Sequence, residues 1–195
     1  RRRLRSQQHL PLRSRYRTPI TIFLTLAIIA ALLYWLRDLP SHTRLSRPQS
    51  YPLTTQILDR EGVLLYEIYD DQNRTPIQLK DLPAYVKQAT ISIEDKNFYR
   101  HHGFDTGGIL RALYKTATGQ RLEGGSTITQ QLVKVALLTP ERTVSRKLKE
   151  AILTVATEVL YTKDQILEMY LNHIPYGGTA YGIESAAHRF FDKDA

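Results

Sequence analysis

Residues 143–172 read TVSRKLKEAILTVATEVLYTKDQILEMYLN, and this stretch decides the fold class. Apolar residues recur every three to four positions, which predicts a helix over residues 143–161. Residues 162–165, TKDQ, are a capping box that opens a second helix, which ends near Asn172. Two helices joined at a capping box indicate a mainly α protein.

The first of these helices has two chemically different faces. At about 100° per residue, an apolar stripe is expected to pack on the core. The stripe comprises Val144, Leu148, Ala151, Ile152, Val155 and Val159. The opposite face carries Arg146, Lys147, Glu150, Thr154 and Thr157. This face is either a solvated surface with ion pairs worth about 0.3–0.5 kcal/mol, or a site where two cations beside one acid hold a diphosphate or a metal–phosphate group.

Outward from this helix pair, the chain is helical with one β element. Residues 54–69 place apolar and β-branched residues on both sides of the turn sequence DREG, which predicts a short β-hairpin. From about Leu82 onward the pattern is helical, with Asp105 and either Ser126 or Thr127 as helix caps.

The N-terminal part of the chain has a composition of its own. Residues 1–18 hold seven arginines and no acid, so the net charge of +8 leaves about +1 for the rest. A nucleic-acid-binding domain would spread its cations over a folded face, so nucleic acid is not expected as a partner. Residues 19–36 are largely apolar and predict a membrane-spanning helix with the arginines on the cytoplasmic side. A cleaved signal peptide is the alternative. Residues 37–53 are predicted to be a polar linker.

The motif EDKNFYRHHG, residues 94–103, follows an apolar stretch. One interpretation is partial desolvation of this carboxylate, which would raise its pKa and make Glu94 a better base. The alternative is an ordinary helix terminus with solvated acids. His101 and His102 have no His or Glu partners at helical spacing, so hydrogen bonding is expected of them rather than metal binding.

The motif GGSTITQQLVK, residues 124–134, leads from two glycines into the start of a helix. Free N–H groups and the helix dipole favour an anion there, and Gln130, Gln131 and Lys134 add donors. A plain capped helix is the equal alternative, and the pattern is not a phosphate-binding Walker loop. The chain has no cysteine, which excludes disulfides, cysteine-ligated metals and a thiol nucleophile.

Five motifs together, in order and spacing, resemble those of glycosyltransferase family 51, the peptidoglycan glycosyltransferase domain of class A penicillin-binding proteins. They are Glu-Asp-x-x-Phe-x-x-His-x-Gly at 94–103, GGSTITQQL at 124–132 with Lys134, Arg-Lys-x-x-Glu at 146–150, Ile-Leu-Glu-x-Tyr-Leu-Asn at 166–172, and Gly-x-x-x-Ala-Ala at 182–187. The resemblance covers residues 54–195. It implies a lysozyme-like, mainly α glycosyltransferase domain that continues past Ala195.

The resemblance also implies a reaction. The 4-hydroxyl of lipid II attacks C1 of a lipid-linked glycan strand, a β-1,4 linkage forms, and undecaprenyl diphosphate leaves. Glu94 is implied as the base and Glu150 as the second catalytic carboxylate, which orients cations or a divalent metal, Mg²⁺ or Mn²⁺. The implied substrate-binding residues, of which the cations neutralise the diphosphate, are Asp95, Phe98, His101, Ser126, Thr127, Gln130, Gln131, Lys134, Arg146 and Lys147.

The implied location is the bacterial inner membrane, with a cytoplasmic N-terminus, a single span and an extracytoplasmic catalytic domain. The expected partners are lipid II, the lipid-linked glycan strand, the membrane and other cell-wall synthesis proteins. The hairpin resembles class A penicillin-binding proteins more than monofunctional enzymes, which implies a transpeptidase domain beyond residue 195. Two alternatives remain open: a lytic muramidase of related lysozyme-like fold, and a non-catalytic membrane scaffold.

Overall fold

The computed structural model describes residues 53–119, 125–141 and 143–195, together with short pieces between residues 22 and 46. Residues 1–39 and 40–195 are separate compact units. The predicted basic tail, residues 1–18, and most of the predicted span, residues 19–36, lie outside the described residues. Among those that are described, no helix has both the length and the apolar character needed to cross a membrane.

The second unit opens with short elements. Helix α1, Thr43–Ser46, lies within the stretch predicted to be a linker and buries Leu45. Strands β1, Thr55–Leu58, and β2, Leu64–Ile68, pair antiparallel and confirm the predicted hairpin. Asp59 shapes the turn, because its carboxylate accepts hydrogen bonds from the backbone N–H groups of Glu61 and Val63 at 2.9 and 2.8 Å.

The remainder is mainly helical, as predicted. A 3₁₀ turn at Leu79–Asp81 precedes α2, Ala84–Glu94, and α3, Thr106–Ala117. The central helices are α4, Ile128–Ala136, α5, Val144–Leu160, and α6, Lys163–His173. A second small antiparallel pair, β3 at Pro175–Gly177 and β4 at Ala180–Tyr181, was not predicted from the sequence, and α7 follows at Ile183–Phe191.

The core lies where α4 packs against α5 and α6. Its fully buried apolar side chains include Ile128, Leu132, Leu153, Ile166, Leu167 and Leu171. Burial of one such side chain contributes about 1.5–3 kcal/mol. The packing fixes the N-terminus of α4 beside the turn that follows α2, which is where the first two sequence motifs meet.

Helix α5 presents the opposite face to the core from the one predicted. Val144 and Val159 on the apolar stripe are 88% and 79% exposed, whereas Glu150, Thr154 and Thr157 are buried. The buried hydroxyls lose little on leaving water, because Thr154 donates to the carbonyl of Glu150 at 2.7 Å and Thr157 donates to that of Leu153 at 2.8 Å. The polar face therefore belongs to the interior of the domain.

The motif at residues 166–172 acts as scaffold. The carboxamide of Asn172 accepts from the N–H of Ile77 at 2.9 Å and donates to its carbonyl at 2.8 Å. Glu168 accepts from the N–H of Leu79 at 2.7 Å. These bonds attach residues 77–79, just before α2, to α6. The position of α2 therefore depends on Asn172 and Glu168.

Candidate active site

Two carboxylates in contrasting environments lie where α2 ends and the following loop begins. Glu94, the last residue of α2, is exposed, and Asp95 is 6% exposed. Asp95 accepts from the N–H of Ile128 at the start of α4 at 3.1 Å, and both its oxygens lie 2.9 Å from Nε2 of His101. The buried acid thus joins the loop to the helix N-terminus, whose free N–H groups favour a negative charge.

His101 closes the loop on itself. The N–H of Gly103 donates to its Nδ1 at 3.2 Å, so the ring proton lies on Nε2 and is donated to Asp95. Gly103 has a φ of +89°, and its carbonyl accepts from the hydroxyl of Thr127 at 2.7 Å. The histidine is a hydrogen-bonding residue, as the spacing of the motif predicted.

Phe98 is fully buried beneath the same loop. Its ring makes an edge contact with Tyr99 and lies 4.5 Å from Nζ of Lys163. Of the predicted substrate-binding residues, Asp95, Phe98 and His101 therefore have side chains committed to the internal structure of the loop. Their described contacts hold the loop that follows Glu94 against α4 and α6.

The N-terminus of α4 is held by a capping box. The hydroxyl of Thr127 accepts from the N–H of Gln130 at 3.2 Å, and the Gln130 side chain accepts from the N–H of Thr127 at 3.0 Å. Both residues are buried, so two further predicted substrate-binding residues form the capped helix start that the sequence left as an alternative. Ser126, just before them, is partly exposed.

Gln131 connects α4 directly to Glu94. Its amide nitrogen donates to Oε2 of Glu94 at 2.8 Å, and its amide oxygen lies 3.4 Å from the hydroxyl of Tyr170. The expected desolvation of Glu94 is wrong for this structure, because α2 ends at the surface and the carboxylate faces solvent. What distinguishes Glu94 is an amide donor on one oxygen.

Two tyrosines lie close enough to Glu94 to be affected by its charge. Burial and the charge of Glu94 raise the pKa of Tyr176 to about 12, and the same two causes raise the pKa of Tyr170. Both phenols therefore stay protonated near neutral pH. Neither was predicted as a site residue. The spacing of Tyr170 matches a packing position, and Tyr176 lies beyond the end of α6.

The third motif places a buried carboxylate among cations. Glu150 is 2% exposed, and its Oε1 forms an ion pair with Lys147. Within the described part of the chain, neither Oε2 of Glu150 nor Nε of Arg146 has a hydrogen-bond partner, although both atoms are buried. A buried carboxylate oxygen without a partner is costly, which indicates a place for a ligand.

A cleft of about 400 Å³ opens between the end of α2, α3 and the start of α4. It brings together Glu94 and Asp95 with Ser126 and Thr127. Lys134, which is exposed on α4, and the α5 group of Arg146, Lys147 and Glu150 are not among the residues that line it.

The cleft also contains charged residues that the motifs did not predict. Its further lining includes Lys96, Asp105 and Arg111. The N–H of Gly108 and the amide of Asn97 hold the pKa of Asp105 below its usual range, and the bond from Gly108 confirms Asp105 as the predicted cap of α3. Arg111 lies 3.9 Å from Asp105, so the cleft presents charges of both signs.

The fold and the site define a helical domain with the exposed carboxylate of Glu94 and the buried carboxylates of Asp95 and Glu150. Arg146 and Lys147 stand on the same helix as Glu150, and Lys147 forms an ion pair with it. Comparison with known proteins gives the family. The Transglycosylase family model matches residues 61–195, and the chain belongs to that family.

Several curated relatives are similar to the chain. Penicillin-binding protein 1A of Rickettsia bellii (strain RML369-C) is 44% identical over 171 residues, which cover 85% of this chain and 21% of the relative. Penicillin-binding protein 1F of Bacillus subtilis (strain 168) is 43% identical over 72% of this chain and 20% of the relative. Penicillin-binding protein 1A of Escherichia coli (strain K12) is 45% identical over 71% of this chain and 16% of the relative. The chain spans between a sixth and about a fifth of the length of these relatives.

Proposed function

We propose that this chain is the glycosyltransferase part of an enzyme that polymerises lipid II into β-1,4-linked glycan and releases undecaprenyl diphosphate. Membership of the Transglycosylase family supports this activity. The observation that carries the proposal is Glu150, a buried carboxylate with one unpartnered oxygen beside Lys147 and Arg146. A lytic muramidase needs one acid and water, and has no use for a buried carboxylate with two cations on the same helix turn.

Glu94 is the proposed base. Its Oε2 is held by Gln131, which leaves Oε1 to accept the proton of the acceptor 4-hydroxyl. The hydroxyl oxygen then bonds to C1 of the donor sugar, the bond from C1 to the diphosphate oxygen breaks, and its electron pair leaves with the diphosphate. The tyrosines near Glu94 remain neutral hydroxyl donors and do not compete for the proton.

The leaving group is proposed to dock against Lys134, Arg146 and Lys147. Guanidinium and ammonium donors stabilise the charge that develops on a departing diphosphate. Ser126, partly exposed at the cleft, and Gln131 are the remaining predicted binding residues whose side chains are accessible. The buried residues of the first two motifs hold the loop after α2 against the start of α4.

A divalent cation, Mg²⁺ or Mn²⁺, is compatible with Glu150. Its partnerless buried oxygen fits a hard cation, which commonly takes one or two carboxylates and completes its ligands with phosphate oxygens and water. Such an ion would supply extra charge stabilisation for the diphosphate. Among the described residues, Glu184, His188 and Asp194, on and after α7, are near enough to share one ion, and this group is not part of the proposed site.

The proposed setting is the outer side of a bacterial inner membrane. The arginine-rich residues 1–18 and the apolar residues 19–36 support a single span with the N-terminus in the cytoplasm. The relatives are named for penicillin binding, which supports a transpeptidase domain elsewhere in the whole protein. Lipid II, the glycan strand, the membrane and other cell-wall synthesis proteins are the proposed partners.

The decisive experiment is Glu94→Gln in the full-length protein, assayed with labelled lipid II. Loss of the base is expected to lower kcat by about 100-fold or more at little change in KM. Glu61→Gln, an exposed glutamate on the hairpin turn, is the matched control and is expected to be fully active.

The outcomes separate the alternatives. Glycan polymer from wild-type protein supports the transferase, whereas cleavage of preformed sacculi without polymer supports the muramidase. Polymerisation by Glu94→Gln near the wild-type rate shows that Glu94 is not the base. A wild-type protein with neither activity supports the non-catalytic scaffold.

A further inference from the structure

We propose that Glu158 and Lys163 form a positioning pair that fixes the catalytic loop, residues 95–103, relative to α4. The inference rests on the proposed function, since it concerns how Glu94 is placed for the reaction. Neither residue belongs to the five motifs. The two side chains lie on either side of the break between α5 and α6, where helical spacing gives no signal that they meet.

The pair is well formed and buried. Nζ of Lys163 lies 2.8 Å from each carboxylate oxygen of Glu158, and their side chains are 18% and 5% exposed. The hydroxyl of Thr129, which is fully buried on α4, also donates to Oε1 of Glu158. One carboxylate therefore joins α4, α5 and the first turn of α6.

The catalytic loop packs against the same pair. Nζ of Lys163 lies 4.5 Å from the centre of the buried Phe98 ring, a cation–π contact at low exposure. At the last residue of the loop, a Cβ on Gly103 would lie 3.2 Å from Cγ of Glu158. The middle of the loop and its last residue thus both lie beside the pair.

An ion pair in this position is better explained by orientation than by stability. Apolar residues of similar volume commonly stabilise a buried site as well as an ion pair does, because burial of two charges costs much of their attraction. A salt bridge with one hydroxyl donor and one aromatic face, however, has a single favoured geometry. The geometry of the pair reaches Asp95 through Phe98, and Asp95 is the residue next to Glu94. It reaches Gln131 through Thr129 on the same helix, and Gln131 donates a hydrogen bond to Glu94.

The test replaces the pair by apolar side chains in the full-length protein. In Glu158→Leu/Lys163→Met, the thermal midpoint is expected to stay within about 5 °C of wild type. We expect kcat for lipid II polymerisation to fall about tenfold or more, with KM within about twofold, because a misplaced base affects the chemical step. The single variant Lys163→Arg keeps Glu158 and the positive charge, so it is expected to keep most of the wild-type kcat.

A second variant keeps the test decisive if the double variant fails to fold. Thr129→Val removes only the hydroxyl donor to Glu158 and is expected to lower kcat about threefold at unchanged KM. Glu184→Leu/His188→Leu, a comparable acid–histidine pair on α7, is the control and is expected to leave kcat unchanged.

The positioning role is overturned if the folded double variant keeps a kcat within about twofold of wild type. It is also overturned if the double variant cannot be folded and Thr129→Val keeps the wild-type kcat. A wild-type protein that makes no polymer overturns the proposed function itself, which distinguishes the two failures.

Discussion

Gly103 offers a quantitative test of how tightly the catalytic loop is packed. Its φ of +89° lies in the region that favours glycine. A Cβ built on it would lie 2.7 Å from Cγ2 of Thr154 and 3.2 Å from Cγ of Glu158. Gly103→Ala therefore introduces both backbone strain and an overlap with α5.

The two effects can be estimated separately. The left-handed conformation costs a residue with a Cβ about 1–2 kcal/mol, and overpacking by one methyl group costs about 1–3 kcal/mol. Reduced freedom of the unfolded chain returns about 0.4–1 kcal/mol. We expect Gly103→Ala to lower the free energy of unfolding by about 1–4.5 kcal/mol.

Gly62 provides a matched control for the strain alone. It has a φ of +86°, and among the described residues no atom beyond its two chain neighbours lies within 4 Å of a Cβ built on it. Gly62→Ala should therefore cost about 1 kcal/mol. Urea-dependent amide hydrogen exchange of α4 and α5 measures the free energy of unfolding at Gly103, and the same measurement on the hairpin amides reports on Gly62.

The overlap is tested in a Thr154→Ser background, which removes Cγ2 but keeps the hydroxyl that donates to Glu150. If contact with Cγ2 causes the cost, Gly103→Ala should be less destabilising in this background by about 1 kcal/mol or more. Equal costs in the two backgrounds would refute the packing explanation. A Gly62→Ala cost as large as that of Gly103→Ala would refute the separation of strain from overlap.

Two further predictions concern stability. Burial lowers the pKa of His173 to about 4, so between an unfolded pKa of about 6.5 and that value the unfolded chain binds a proton that the native state does not. The free energy of unfolding should therefore fall by about 3 kcal/mol as pH drops through this window. Denaturant unfolding measures it, and an equal fall in His173→Gln would contradict the role of His173.

Thr127→Ala should lower the free energy of unfolding more than Thr162→Ala does. Thr162→Ala loses only a helix cap worth about 1 kcal/mol, whereas Thr127 also donates to the carbonyl of Gly103. Equal losses of amide exchange protection in the two variants would contradict this.

Local signals in the sequence were sufficient for much of the fold. The hairpin turn at Asp59, the cap at Asp105 and the capping box at Thr162 each depend on residues within four positions of one another. Such bonds are available to the chain before any tertiary structure forms. The order of elements from β1 to α7 could therefore be predicted, apart from the small β3–β4 pair.

Predictions that depended on tertiary contacts were less successful. The apolar stripe of α5 predicted burial of Val144 and Val159, yet the structure buries Glu150 and Thr154 on the other face. Periodicity identifies two faces but does not say which one meets the protein. Here the polar face is inward because its hydroxyls find acceptors within their own helix and its acid finds Lys147.

The motifs themselves combine two kinds of residue that a pattern of letters cannot separate. Asp95, Phe98 and His101 are buried or bonded within the loop, and Thr127 and Gln130 cap α4. Substitutions in this set should lower stability and kcat together, since they alter the placement of the base by altering the fold.

Other motif residues are accessible, among them Glu94, Lys134 and Lys147. Substitutions there should lower kcat with little effect on stability, because little packing is lost. Glu150 belongs to neither set: it is buried but keeps one oxygen without a partner among the described residues. Its replacement by leucine should remove a costly buried charge, so that kcat falls while stability stays equal or rises. A stability that falls with kcat would place Glu150 with the packing residues instead of the site.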